Sequence, residues 1–268
     1  MKTKIAIISV YLGELPKYFN FTKKSIFHNK EYDWFIFSDQ ILETYKENNI
    51  TYVPTSLDDI NRRLSNKLNY NVELKNPYKL VDTKPSWFDI FEEYFENYDW
   101  WGWTDLDIIY GNFSTFLDDI VFENYDIVTI MNRYLFGPFV LMSKKYKDIY
   151  KEIENVSNLI ANENPNNLKK VYYVDELYLP KIIKQKKLKL FDHIIRNNYK
   201  IALIRYGKNK KGNFATWING VIEINSYKKD YWQSYTSNYG CDSMLYHFDI
   251  NQVTISENEK NEILISHQ

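Results

Sequence analysis

Short runs of β-branched and aromatic residues recur along the chain and predict buried strands. The runs lack the polar alternation of a half-exposed strand, which is typical of strands covered on both faces of a sheet. They occupy residues 4–10, 34–37, 50–53, 100–104, 126–131 and 139–142. Because helical stretches separate several of these runs, we expect right-handed crossovers and a mostly parallel sheet flanked by helices. The predicted fold class is α/β.

Two segments have patterns that predict helices. Residues 85–98 place aromatic side chains at helical spacing, with acids including Asp89 largely on the opposite face, and Pro85 suits a first turn. A second helix is expected at about residues 145–162. The polar C-terminal end, from Ser256, is expected to fray.

Composition narrows the class of protein. The chain has 268 residues and a net charge of -1, so it has no global basic field of the kind that attracts nucleic acid. The lone cysteine, Cys241, excludes an intramolecular disulfide framework and a Cys-cluster zinc site. No apolar stretch reaches the roughly 18 residues of a membrane span, and the apolar start lacks a cleavage site. We therefore expect a cytoplasmic protein.

Two carboxylates, Asp105 and Asp107, directly follow the tryptophan-rich run at residues 100–104. The triplet alone is weak evidence, because a chain with this many aspartates contains about one Asp-X-Asp by chance. Its position is informative, since ligands of open α/β sheets bind beyond the carboxyl ends of the strands. Carboxylate oxygens suit Mg²⁺ or Mn²⁺, which in turn bind nucleotide phosphates. The alternative is that Asp105 caps a turn and Asp107 is a solvated loop residue.

Several segments together resemble a known group of enzymes. Residues 79–85 (Lys-Leu-Val-Asp-Thr-Lys-Pro), the aromatic helix after them and residues 103–112 (Trp-Thr-Asp-Leu-Asp-Ile-Ile-Tyr-Gly-Asn) are similar to the core of nucleotide-sugar-dependent glycosyltransferases of the GT-A fold. More narrowly, they resemble glycosyltransferase-like proteins from bacterial surface-polysaccharide (capsule) gene clusters. The resemblance covers most of the chain and is strongest over residues 79–142. It implies one Rossmann-type domain with a donor-binding half, 1–112, and an acceptor-binding half, 113–268, whose C-terminal segment closes over donor and metal.

The resemblance also implies ligands. A sugar would move from a nucleoside diphosphate, with UDP the expected nucleotide, to a hydroxyl of a glycan or a lipid-linked acceptor. A divalent cation, Mn²⁺ or Mg²⁺, would be held by Asp105 and Asp107, and Asp105 would also contact the donor. The other implied donor contacts are Tyr11, Gly13, Asp39, Asp82 and Lys84.

Two further candidates are implied by the same resemblance. His247 is a candidate third metal ligand; alternatively it is buried between aromatic neighbours with its ring on a backbone carbonyl. Asp175 and Glu176 lie roughly where enzymes of this fold carry an acid that faces the acceptor, so one of them is a candidate general base. Either is otherwise an ordinary acid near a helix N-terminus.

A basic stretch follows these acids. Residues 181–211 contain 11 Lys and Arg and one acid, Asp192. One interpretation is peripheral contact with the inner membrane face, with a lipid-linked acceptor or with donor phosphates. The other is a solvated basic face.

Two other functions compete with the transferase. A phosphohydrolase that uses the first Asp of Asp-X-Asp as nucleophile would usually carry the motif after its first strand, and Ile109 stands where Thr or Val is usual. A non-catalytic carbohydrate-binding or scaffold protein on the same fold would need the aromatics, which make up 18% of the chain, but not the carboxylates.

Overall fold

The computed structural model describes residues 3–16, 18–129, 135, 137–161, 170–191, 213–219, 221–224, 245–247 and 253–267. The strands in chain order are β1 Ile5–Val10, β2 Asp33–Ser38, β3 Tyr45–Glu47, β4 Ile50–Pro54, β5 Trp100–Thr104, β6 Ile108–Tyr110, β7 Ile127–Thr129, β8 Phe139–Ser143, β9 Leu190–Phe191, β10 Asn213–Ile218, β11 Val221–Ile224, β12 Leu245–His247, β13 Val253–Glu257 and β14 Ile263–His267. The α-helices are α1 Phe19–His28, α2 Leu57–Leu68, α3 Trp87–Ile90, α4 Asp119–Asn124, α5 Val156–Ala161 and α6 Leu179–Gln185. Short 3-10 helices span Pro77–Ser86, Glu92–Tyr94, Phe113–Thr115, Lys144–Tyr146 and Ile149–Glu152, and a π-helical turn spans Val174–Tyr178.

The central sheet has eight strands in the order β3-β4-β2-β1-β5-β8-β7-β9. Strands β4, β2, β1 and β5 run parallel to one another, while β3 pairs antiparallel with β4 and β8 pairs antiparallel with both β5 and β7. The chain first moves outward from β1 through β2 to β4 and then returns to the other side of β1 with β5. The strand order therefore reverses between β1 and β5. The predicted α/β class and mostly parallel sheet are confirmed.

Both faces of the sheet are covered, which explains the unbroken apolar runs. On one face, Ala6, Trp101 and Trp103 pack with α2, α3, α5 and α6. On the other face, Ile7 and Trp100 pack with α1, α4 and the aromatic residues after β5. Burial of one large apolar side chain contributes about 1.5–3 kcal/mol, so the strands are the main source of stability for the site that they carry.

The two predicted long helices are broken into shorter pieces. Within residues 85–98 only α3 is α-helical, because the backbone of Phe91 (φ -118°, ψ +27°) leaves the helical region and ends it. Asp89, expected on the solvated face, is buried and forms ion pairs with Lys67 and Lys151. Within residues 145–162, two 3-10 helices precede α5, because Asn155 takes a left-handed backbone conformation (φ +57°) that interrupts a helix. Both predictions of a continuous helix were wrong.

A smaller antiparallel sheet, in the order β11-β10-β14-β13, packs beside α1. The Trp217 ring of β10 makes an edge contact with His28, and its indole N–H donates to the Tyr110 carbonyl. The predicted fraying from Ser256 was wrong, since β13 and β14 pair as a hairpin. No helix within the described ranges combines the length and apolarity needed to cross a bilayer.

Candidate active site

A cleft of about 570 Å³ opens at the carboxyl ends of β1 and β5, where the strand order reverses. In open α/β sheets this switch point is where ligands bind. Four segments distant in sequence line the cleft: the end of β1, the 3-10 helix Pro77–Ser86, the loop after β5 and the π-helical turn. Six of the predicted site residues line it together, namely Tyr11, Lys84, Asp105, Asp107, Asp175 and Glu176.

The carboxylate of Asp105 stands at the mouth of the cleft. Its backbone N–H donates to the Pro138 carbonyl (2.9 Å), which fixes the chain as it leaves β5. The Oδ1 atom lies 2.6 Å from the Lys84 ammonium, and about a third of the side chain (32%) is exposed. This carboxylate is therefore both held in place and reachable by a ligand.

Asp107 lines the same cleft two residues further on. The Tyr18 phenol lies nearby, and burial, followed by the charge of Asp107, raises the pKa of this phenol. Tyr18 stays neutral at physiological pH and presents a hydrogen-bonding group beside the carboxylates.

Lys84 is the buried cation of the site. Its ammonium donates to the Gly137 carbonyl (3.0 Å) as well as pairing with Asp105. Burial alone would lower the pKa of Lys84, but the negative charges of Asp105 and Asp175 outweigh it and raise this pKa. A permanent positive charge therefore lies against the carboxylates.

The 3-10 helix that carries Lys84 is specified by local polar residues. Asn76 accepts from the Tyr78 N–H at its start, with Pro77 in the first turn. Near its end, the Thr83 hydroxyl accepts from the indole N–H of Trp87 (2.9 Å). These bonds hold the backbone so that the long side chain of Lys84 points into the cleft.

Three polar side chains on the buried face of α1 hold the loop after β5. The Thr22 hydroxyl donates to the Leu106 carbonyl (2.9 Å), and Ser25 Oγ accepts from the Tyr110 N–H (3.0 Å). Asn29 donates to the Gly111 carbonyl (2.8 Å). Because buried backbone groups must be paired, these contacts determine the path of the chain on both sides of Asp107.

Asp175 faces the other acids from the π-helical turn and is 1% exposed. Burial raises its pKa to about 7, although the charge of Lys84 opposes the shift. The Oδ1 atom accepts from the Glu176 N–H, whereas Oδ2 is buried and has no hydrogen-bond partner among the described residues. A carboxyl group that titrates near neutrality is suited to proton transfer.

Gly137 links the two sides of the cleft. Its carbonyl accepts from Lys84 and from the Trp103 indole N–H, and its own N–H donates to Glu176 Oε1 (2.9 Å). A Cβ at this position would lie 2.5 Å from Glu176 Oε1 and 3.1 Å from Asp175 Oδ2. The close approach of these carboxylates requires glycine.

Asp82 has a different position from the one expected of a donor contact. It is completely buried, pairs with Lys79 (2.5 Å) and accepts from the Tyr172 N–H (2.9 Å). Tyr173, the next residue, has a left-handed backbone (φ +54°), which costs a non-glycine residue roughly 1–2 kcal/mol. Asp82 therefore anchors the segment that positions Asp175 and does not line the cleft.

Of the donor contacts predicted in the loop after β1 and at the end of β2, one lines the cleft and two do not. Tyr11 lines the cleft, whereas Gly13 and Asp39 lie beyond its lining. The Gly13 N–H donates to Asp39 Oδ1 (2.8 Å), and this bond lowers the pKa of Asp39. Gly13 has φ +103°, a conformation that favours glycine. The pair shapes the loop, and donor contact by either residue stays a prediction.

The proposed metal ligands are close in the fold. Asp105 and Asp107 line the cleft, and β12 pairs with β6 so that His247 stands opposite Ile108, one residue after Asp107. The side chain of His247 lies outside the described residues, and within these no group of three metal-binding side chains occurs. Two carboxylates fit Mg²⁺ or Mn²⁺ when phosphate and water supply the other ligands. Metal binding stays a prediction.

The sequence predictions did not include three tyrosines that line the cleft, Tyr18, Tyr78 and Tyr173. Tyr18 stands just before α1, and the aromatic side chains of Tyr78 and Tyr173 are about half exposed (51% and 46%). Exposed aromatic side chains inside a cleft indicate a ligand-binding site, but the sequence alone does not show which of the 24 tyrosines are exposed. Of the basic stretch at 181–211, only residues 181–191 are described.

Comparisons with known proteins identify a family. The model of a family of unknown function (DUF6625) matches residues 7–268, so the chain belongs to this family. No curated protein matches the chain. A similar solved structure is that of a glycosyltransferase involved in the glycosylation of the major capsid of PBCV-1, at 15% identity and a TM-score of 0.38. The match covers 71% of this chain and 82% of that one.

Proposed function

We propose that this member of the DUF6625 family is a metal-dependent glycosyltransferase, which moves a sugar from a nucleoside-diphosphate sugar to a hydroxyl of a glycan or lipid-linked acceptor. The proposal rests on the set of side chains that line one cleft at the switch point of the sheet. Asp105, Asp107, the buried cation Lys84, Asp175 and Glu176 all line it. Such a cleft has the groups needed to bind a diphosphate and to take a proton from an alcohol.

On the donor side, Lys84 and a divalent cation would share the charge of the diphosphate. Asp105 and Asp107 would hold Mn²⁺ or Mg²⁺, with His247 as a further ligand. When bound, the cation would neutralise charge that develops on the leaving nucleoside diphosphate. Lys84 is already oriented by Gly137 and Asp105, so little reorganisation is needed for it to stabilise the same charge.

The nucleoside, with UDP as the expected nucleotide, would lie toward β1. Tyr11 lines this side of the cleft and offers an aromatic face for the base, while Tyr18 offers a neutral hydroxyl. Asp39, held by Gly13, would accept from a ribose hydroxyl at the rim. These three residues are the proposed determinants of nucleotide choice.

On the acceptor side, Asp175 is the proposed general base of an inverting transfer. With a pKa raised to about 7 by burial, it accepts a proton more readily than an ordinary carboxylate while still being largely ionised at pH 8. Glu176 is held by the Gly137 N–H and would position the acceptor rather than take its proton.

The test begins with binding. UDP titrated into the wild-type protein with Mn²⁺ is expected to give a calorimetric signal that disappears with chelator. Asp107→Asn should weaken this binding at least about tenfold, because a neutral amide is a poor ligand for a divalent cation. The matched control is Asp58→Asn, which changes an exposed aspartate in the first turn of α2.

A panel of nucleoside-diphosphate sugars then tests chemistry through Mn²⁺-stimulated release of the nucleotide. Loss of turnover in Asp107→Asn, but not in Asp58→Asn, is the expected result. Metal-independent nucleotide binding, or full turnover by Asp107→Asn, would remove the proposed metal site from the mechanism.

One observation favours a second candidate, a sugar-binding protein without catalysis. The Lys84 ammonium already neutralises Asp105 at 2.6 Å, and Tyr78 and Tyr173 present exposed rings on which a sugar can stack. Such a protein would bind a free oligosaccharide without nucleotide or metal. Saturable binding of glycans together with no response to UDP and Mn²⁺ would favour it over the transferase.

A further inference from the structure

A second groove, of about 780 Å³, adjoins the cleft. Glu176 lines both, so the groove and the cleft are adjacent at this residue. The floor of the groove is apolar, and Leu177 on it is 58% exposed. The apolar lining residues are Leu135, Leu177, Pro180, Ile183, Leu188 and Leu190.

The rim of the groove is basic. Lys181, Lys184 and Lys187 line it and are exposed, while Glu176 is the only acid among the described lining residues. The Lys181 ammonium lies over the Tyr178 ring (5.2 Å), which holds it near the surface of the groove. The groove thus offers an apolar surface beside three positive charges, and its one negative charge lies at the junction with the cleft.

One of these lysines occupies a position that favours glycine. Lys187 has φ +55° and follows the C-cap of α6. Its N–H donates to the Lys184 carbonyl and the Leu188 N–H donates to Ile183, which is the Schellman pattern in which glycine is preferred. The backbone therefore does not require lysine here, and a change to glycine removes the charge while keeping the turn.

We propose that this groove binds the lipid portion of the acceptor, a long-chain alkyl or isoprenyl phosphate that carries the glycan hydroxyl. The proposal rests on the proposed function, since it names the acceptor class of the same site. The chain would lie on the apolar floor and the phosphate would contact Lys181, Lys184 and Lys187. Repulsion by Glu176 would keep the phosphate out of the cleft, while the glycan passes this residue toward Asp175.

Binding of decyl phosphate below its micelle concentration tests the proposal by calorimetry on the full chain. We expect it to bind at least about tenfold more tightly than either inorganic phosphate or the neutral decyl glucoside, because only decyl phosphate engages both floor and rim. Lys184→Gln, Lys187→Gly and Leu177→Asn should each weaken it about five- to tenfold. Lys187→Gly should leave the melting temperature unchanged or higher, which separates loss of charge from loss of fold.

The matched control is Lys186→Gln. Lys186 lies in the same helix end but pairs with Glu152 (2.8 Å) and does not line the groove, so its loss should leave decyl phosphate binding unchanged. Equal weakening by Lys186→Gln, or equal affinity for decyl phosphate and inorganic phosphate, would overturn the proposal. Cosedimentation with phosphatidylglycerol vesicles without binding of decyl phosphate would also overturn it, in favour of contact with a membrane surface.

Titration of UDP and Mn²⁺ into the same preparations reports the proposed function separately. Nucleotide binding without decyl phosphate binding would overturn the lipid acceptor and leave the transferase standing. Lysine-dependent decyl phosphate binding without any nucleotide binding would sustain the groove as a lipid-phosphate site and overturn the transferase.

Discussion

The 3-10 helix Pro77–Ser86 contributes lysines to two lysine–aspartate ion pairs, one completely buried and one partly exposed to solvent. In the Lys79–Asp82 pair both side chains have no exposed surface. In the Lys84–Asp105 pair the lysine is buried but Asp105 is 32% exposed and faces the cleft. The first pair bonds to the backbone at Tyr172 and Leu159, and the second bonds to Gly137 at the centre of the site.

The difference separates structural charge from charge that a ligand can use. In a completely buried pair, here called the sealed pair, every charged group needs a partner within the protein, because an unpaired buried charge is costly. Lys79 and Asp82 have such partners in each other and in the backbone at Leu159 and Tyr172. In the Lys84–Asp105 pair, here called the open pair, the carboxylate is partly exposed, so either residue can exchange its partner when an ionic ligand binds. The family resemblance implied that Asp82 and Lys84 are both donor contacts, whereas their burial and partners differ: Asp82 is sealed in the protein and Lys84 lines the cleft.

The largest expected effect comes from breaking the sealed pair. Lys79→Met leaves the Asp82 carboxylate buried without its cation and should lower the free energy of unfolding by about 3–5 kcal/mol. Urea denaturation measures it. Lys46→Met, which breaks an exposed pair with Asp33, is the control and should change stability by less than about 1 kcal/mol. Similar small losses for both variants would refute the distinction.

A pH-dependent effect comes from Asp175, whose charge acts on the open pair. The pKa of Asp175 is about 7 in the folded protein and near 3.8 in an unfolded chain, so the folded state binds its proton more tightly. Stability should therefore fall as pH rises from about 4 to 7. Asp175→Asn removes this fall and should be more stable than wild type at pH 8 by on the order of 4 kcal/mol, with no advantage at pH 3.5. Parallel stability curves for the two proteins would contradict the raised pKa.

Breaking the open pair should affect binding more than stability. Lys84→Met leaves a carboxylate that water reaches, so we expect a loss of only about 1–2 kcal/mol in unfolding free energy. UDP affinity in Mn²⁺ should fall at least about tenfold, because the buried positive charge beside the diphosphate is gone. Denaturation and calorimetry on one preparation give both values. Unchanged affinity would show that Lys84 is structural, like Lys79.

The smallest expected effect on stability is that of Gly137→Ala. The added methyl group meets the far end of the long Glu176 side chain at 2.5 Å, which a rotamer change can relieve, and Asp175 Oδ2 at 3.1 Å, which must give by a few tenths of an ångström. The unfolding free energy should therefore change by only about 1 kcal/mol. Turnover should fall while nucleotide affinity is retained, since only the acceptor side is displaced. Equal losses of affinity and turnover would mean that the donor side moves as well.

The sheet was predictable because its strands are specified locally. The apolar runs that become β1, β2, β4 and β5 are long enough and aromatic enough to indicate strands covered on both faces. The position of Asp105 at the end of β5 follows from the same pattern. Asp175 and Glu176, about 70 residues further along the chain, line the same cleft as the motif after β5.

What could not be predicted depends on contacts between distant residues. The buried role of Asp82 requires knowledge that Tyr172, 90 residues away, brings its N–H to this carboxylate. Asp89 looked like a solvated acid because its partner Lys151 lies far along the sequence. The role of Gly137 depends on three hydrogen bonds to distant residues and on the space that its missing side chain leaves, and neither is visible in the sequence.

The polar face of α1 has a consequence for the order of folding. The bonds from Thr22, Ser25 and Asn29 to the loop after β5 span between 82 and 85 residues of chain. Contacts of such long separation form only after the intervening segments have collapsed, because closing large loops is entropically unfavourable. Strands β1, β2 and β4 pair with residues only 16 to 27 positions away, so they can assemble before β5 and the Asp105 loop have joined them. A folding intermediate that contains only these three strands would lack the cleft.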